Sequence, residues 1–457
     1  NETTFTSTIG VTATRIGEIA VGTSTLSGLA DFEGVVFTDA LSVVGGDHAD
    51  EDSQIDIGAN VTATNGTTLT PGTGDAKLLV TANATIAGTI DQSGTGTGSS
   101  ILAVTGGTLT TSGIVGGTLA LDSFTMADTT AAAINADFGV TTTTITDAGA
   151  ITYGGSADQT HTGAIVLAAD DDGTIQNSNT SGELTITGAI GSATKAITEI
   201  TLDDGAKTNF NSAIFALTLD MDTNGETTVF AVGGNEIGDT GGNAGALQIV
   251  AGAVIELGTA IGDGTTVFDT TTVSANAAGV VIAGDITVIP AANFTSGTIV
   301  LIQGDAANIT TGEKADILVQ DTALIDYTVD DGGGTATHDI GITATAKTAS
   351  AAGTALNITS NDATGLLQAL NSANTASDST VVTALNNALQ QINGSTTATA
   401  TAAAKQLAPQ QDLIVGSSTA LKANTGSLQN VMSNRMASLR SGDAYIAFDS
   451  PKELELK

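Results

Sequence analysis

The chain has 457 residues, 41% of them hydrophobic but only 3% aromatic, and carries 48 acidic against 12 basic side chains, a formal charge of −36. With no cysteine it has no disulfide, thiolate metal site or cysteine nucleophile. Its acidity argues against nucleic acid and anionic lipid as partners, because both are bound by neutralising phosphates with Lys and Arg.

From residue 1 to 345 the sequence predicts one all-β unit. Short runs such as "AKLLVTANATIAGTI" (76–90), "ELTITGAI" (183–190) and "AITEITLDD" (196–204) alternate Val, Ile, Leu and Thr between Gly, Asn and Asp. Period-two alternation of β-branched residues, punctuated by turn formers, is a strand pattern. A row of β-sandwiches and a right-handed parallel β-helix (solenoid) both satisfy it. Sandwich domains bring aromatic cores and proline-bearing linkers, whereas this chain has four prolines, at 71, 290, 409 and 451. The expectation is therefore a solenoid of about 20 to 25 residues per coil, with Gly at corners and a core of small Val, Ile, Leu and Ala layers.

Candidate sites within that unit are sparse. His48 lies beside Asp47 and Asp50 in an acidic stretch, "HADEDSQID" (48–56), and "AADDDG" (168–173) is a second acidic tip. Calcium could bridge such tips, and solvated turns account for them equally. "DMDTNGE" (220–226) matches the opening of a D-x-D-x-N-G calcium loop through Asp220, Asp222 and Asn224. Position twelve, where a bidentate Glu would close the site, is Ala231. Ca²⁺ is thus the one cofactor suggested, with a Gly-punctuated turn as the plain alternative. His48, His161 and His338 share no ligand spacing. No nucleophile elbow or phosphate loop occurs. The cations before residue 400 are single and scattered: Arg15, Lys77, Lys195, Lys207, Lys314 and Lys347. An enzyme acting on acidic polysaccharide would need them gathered, so the expected function is non-enzymatic.

Beyond residue 345 the period changes to helical. Residues 346–412 read as a helical cap or connector. Within it, "DSTVVTALNNALQQINGS" (378–395) puts Val381, Val382, Leu385, Leu389 and Ile392 on one face, and Asn393-Gly394 ends it. Residues 413–457 hold a last helix, 417–440, with Leu428, Met432, Arg435 and Leu439 on one stripe. Here "QLAPQQDLIVGSSTALKANTGSLQNVMSNRMASLRSG" (406–442) resembles the linker region of Gram-negative autotransporters (type V secretion). Their pattern N-R-[ML]-x-x-L-R-x-G is matched by Asn434, Arg435, Met436, Leu439, Arg440 and Gly442, and "DAYIAF" (443–448) would start the first barrel strand. Residues 294–333 are similar to the closing coils of such passengers, and further upstream the likeness is compositional.

The resemblance implies a surface-exposed passenger acting in adhesion or self-association. Its partners would be its own outer-membrane β-barrel and a host, neighbouring-cell or identical surface. A helix threading a polar pore can carry Arg435 and Arg440, since a barrel lumen supplies carboxylates. Two features depart from the family: no barrel follows Lys457, and no Asn-Asn pair offers the linker cleavage seen in some members. Together with the start at Asn1-Glu2-Thr3, the missing barrel is expected of a processed or trimmed chain. The competing readings are a structural subunit of a surface layer or extracellular filament and, behind it, a solenoid polysaccharide-active enzyme.

Overall fold

The computed structural model describes residues 2–355 apart from 95, 239–244, 272–278, 292, 305–308, 310, 323–324 and 331–338, together with 422, 426, 427, 429, 430, 432 and 433. The chain divides into two units, Asn1–Ala346 and Lys347–Lys457. The predicted cap helices and most of the last helix lie outside the described residues. In the second unit a helix runs over Ala349–Ala355.

The first unit is a parallel β-solenoid. Its strands alternate buried and half-buried positions, as in Ser53–Ile57 and Ala76–Val80, so the period-two pattern puts every second side chain inside. Three inward files run from coil to coil. One passes through Leu78, Leu102, Phe124, Thr143, Ile165, Ile190 and Ile214. A second passes through Ile86, Thr111, Ile134, Tyr153, Asn177, Leu202 and Met221. The third passes through Ile90, Val115, Phe138, His161, Ile186, Phe210 and Phe230. Each coil thus gives one inward position to each file, from a strand or, at Val115, Ile190 and Ile214, from an isolated bridge.

Two longer strands, Phe138–Ile145 and Gln159–Leu167, carry the third file into the first without a break. Their pairing shifts register between Gly139 and Thr142, where the chain rounds the corner. Hydrogen bonds between adjacent coils span 22 residues at Ser100 and Asp122 and 27 at Gln176 and Asp203. Later coils are longer, with 35 residues separating Asp263 from Thr298. The parallel order ends where Gly297–Gln303 pairs antiparallel with Ile340–Ala346, itself antiparallel to Ile325–Asp330.

The core corrects one expectation. Small layers do line the files, but the largest fully buried side chains are Tyr153, Phe32, Phe124, Phe138, Phe210, Phe230 and Phe268. A three-sided coil has a narrow interior, so one ring fills much of it. Phe124 meets Phe138 edge-on at 5.0 Å and Phe230 meets Phe268 at 4.8 Å. Burying such a ring contributes on the order of 2 to 3 kcal/mol.

Acidic side chains hold successive coils together. Asp75 N–H donates to Asp52 Oδ1 (2.9 Å), and Ser99 N–H donates to Asp75 Oδ1 (2.8 Å). Thr160 N–H donates to Asp137 (2.8 Å), Glu183 N–H to Asp158 (3.0 Å) and Ala196 N–H to Asp170 (2.7 Å). Asn60 and Asn83 accept from Thr85 and Thr108 in the same way. A corner leaves backbone donors outside the sheet ladders, and a short carboxylate or amide from the adjacent coil satisfies them. Part of the acidic surplus is therefore coil-to-coil hydrogen bonding.

Candidate functional site

Outward side chains of the second face also stand in file. Thr110, Thr152, Gln176, Thr201, Asp220 and Gln248 occupy corresponding positions, with Ala133 between the first two. Coil stacking spaces them by about 4.8 Å. This regular polar column carries a carboxylate at Asp220, and beside it Asp203 Oδ1 accepts from Gln176 Nε2 at 3.0 Å.

Asp220 belongs to it. Burial first, then the neighbouring Glu199, Asp222 and Asp203 carboxylates, hold its carboxyl above the usual range. Asp222 and Asn224 follow in the turn, both exposed. Gly225 there adopts φ of 88°, and its N–H donates to Gly252 O at 2.9 Å in the next coil. The three predicted calcium ligands are thus strung along a strand end and a turn anchored to its neighbour. Among the described residues no group of three or more His, Asp or Glu side chains is arranged to hold a metal.

Two further carboxylate pairs stack in register, Asp31 with Asp56 and Glu236 with Asp269. Burial and then the Asp269 charge raise Glu236. Asp56 is raised by burial and by Asp31, against the lowering effect of a 2.7 Å hydrogen bond from Gln54 Nε2. The opposite arrangement surrounds Lys77, whose ammonium lies 2.5 Å from Asp52 and 3.3 Å from Asp75. Burial works against charge on both Asp52 and Lys77. The contacts between them outweigh it, so Asp52 falls below its ordinary value and Lys77 rises above its own.

The predicted histidines separate. His48 is exposed and 3.8 Å from Asp47, and His338 lies outside the described residues. His161, which spacing did not single out, is wholly buried between Phe138 and Tyr153. Of the linker residues, Met432 is helical and 61% exposed. Leu428, Asn434, Arg435, Leu439 and Arg440 lie outside the described residues.

Comparisons with family models, curated proteins and solved structures found no match to this chain. No described helix is long and apolar enough to cross a membrane.

Proposed function

We propose that the chain is the passenger of an autotransporter-like outer-membrane protein, a non-enzymatic surface element for adhesion or self-association. The observation that carries this reading is the parallel solenoid with its outward polar file from Thr110 to Gln248. Hydroxyls, amides and carboxylates repeated at coil spacing suit many weak polar contacts with an extended partner, whose summed strength comes from multiplicity. The linker-like residues Asn434, Arg435, Met436, Leu439, Arg440 and Gly442 support the secretion class. On this reading the chain is displayed outside the cell by its own β-barrel, and Asp220, Asp222 and Asn224 serve as a turn rather than as calcium ligands.

Display of the complete gene product on a Gram-negative host tests this. Cell–cell or cell–surface adhesion should appear with the passenger, vanish when residues 76–250 are deleted, and weaken when Thr152, Gln176 and Thr201 are changed together to Lys. Adhesion unchanged by either alteration would contradict the reading.

A structural subunit of a surface layer or filament is the competing reading, and concentration-dependent filaments or lattices of the purified chain would favour it over adhesion.

A further inference from the structure

His161 is an ionisable group at the centre of a packed layer. Its ring stacks on Phe138 at 5.5 Å and meets the edge of Tyr153 at 5.8 Å. Nδ1 lies 2.7 Å from Tyr153 Oη, and Nε2 lies 3.3 Å from Thr143 Oγ1. Both ring nitrogens therefore have hydroxyl partners, which suits a neutral imidazole that donates through one nitrogen and accepts through the other.

The elements packed around the ring bring no compensating charge. Phe138–Ile145 contributes Phe138 and Thr143, Ala150–Tyr153 contributes Tyr153, and Glu183–Ile186 places Ile186 beside His161 in the file. On its own strand the preceding inward residue is Gln159. Asp158 and Glu183 are nearby in sequence and strand, but Asp158 Oδ1 accepts from the Glu183 N–H at the solvent-exposed surface. Burial alone pushes the imidazole down to about 3.

We propose that the Phe138–His161–Tyr153 layer is an acid-operated break point, at which protonation of His161 opens the surrounding coils before the rest of the solenoid unfolds. The sign follows from linkage. A histidine in an opened coil protonates near pH 6.5, far above its closed-state value, so closure is fully favoured above that pH and loses ground as pH falls. Each pH unit below about 6.5 favours the open coil roughly tenfold, approaching 100-fold at pH 4.5. Each coil of a solenoid contacts only its neighbours, which keeps the opening local. The carboxylates held high, at Asp56, Asp220 and Glu236, shift stability in the opposite direction as they protonate, and they sit on other coils.

Hydrogen exchange of the intact chain at pH 7 and 4.5, corrected for intrinsic exchange, tests the proposal. Amides of 138–167 and 183–190 should lose roughly 50- to 100-fold more protection than those of 53–104. In parallel, the His161 ring proton signal should not titrate between pH 7 and 4.5 in the closed state. Uniform loss of protection, no loss, or a His161 signal titrating near 6.5 would each overturn the proposal. If His161→Gln folds, it should abolish the differential, and a differential that persists in it would also overturn the assignment. If the variant does not fold, the wild-type measurements decide alone.

Discussion

The Asp75 backbone N–H donates to Asp52 Oδ1 across 2.9 Å, one coil away, and the Asp75 carboxylate passes the same bond on to Ser99. Lys77 bridges both carboxylates. Acid side chains at this corner are structural acceptors, which makes their removal costly. Asp75→Ala should lower unfolding free energy by about 1 to 2 kcal/mol, as loss of a capping acceptor does. Asp75→Asn, which keeps an acceptor, should cost less than half of that. Urea denaturation at pH 7 separates the two, and equal losses would argue that charge rather than hydrogen bonding holds the corner.

The same corner responds to acid. Asp52 is held below its ordinary value, so its contribution is present above the unfolded carboxylate range near pH 4 and lost as pH falls through the folded value. Lys77→Met removes that contribution. The stability gap between wild type and Lys77→Met should therefore narrow between about pH 5 and pH 2.

Partly buried carboxylates close to other acids behave oppositely. Asp56, Asp220 and Glu236 are held high, so protonation favours the folded state. Their stabilising effect is complete below the unfolded value and is lost as pH rises through the folded value. Glu236→Gln, which removes repulsion from Asp269, should raise the pH 7 melting temperature by a few degrees and leave the pH 3 value nearly unchanged. A lowered melting temperature at pH 7 would mean that the carboxylate has a favourable partner.

The turn at 220–226 gives a metal-dependent test. With Asn224 and Gly225 serving as a turn, EDTA should shift the melting temperature by less than about 1 °C. A fall of several degrees, reversed by Ca²⁺ and absent in Asp222→Asn, would restore Asp220, Asp222 and Asn224 as ligands.

Close coil stacking makes some glycines irreplaceable for reasons of space. A Cβ on Gly188 would collide with the Gly163 carbonyl oxygen, and one on Gly163 with that of Val140. Gly188→Ala should cost roughly 2 to 4 kcal/mol. Gly17, which has open space around it, should tolerate alanine with a change within about 0.5 kcal/mol.

The solenoid was legible because inward positions along strands such as Glu183–Ile186 are apolar and outward ones are not. The His161 layer was hidden by the same rule. Gln159 and His161 fall on inward positions of Gln159–Leu167 but are polar, and Thr143 takes an inward place among apolar neighbours. Parity in that strand could have placed them inside, had the corner between its halves been visible. Of the acidic clamps only Asp52 and Asp170 lie in the acidic stretches that stand out in the sequence, and an isolated Asp carries no mark of its acceptor role. Asp52 and Asp75 become a pair only once coil length is known. Aromatic scarcity misled in a different way, since a narrow interior uses few rings and buries most of them.

The proposed surface-displayed, barrel-anchored role is tested most directly by the sequence of the reading frame beyond Lys457. The expected result is a segment of amphipathic strands of about ten residues each, closing a barrel and ending in an aromatic residue. A stop codon close to Lys457 would contradict it and favour the surface-layer subunit.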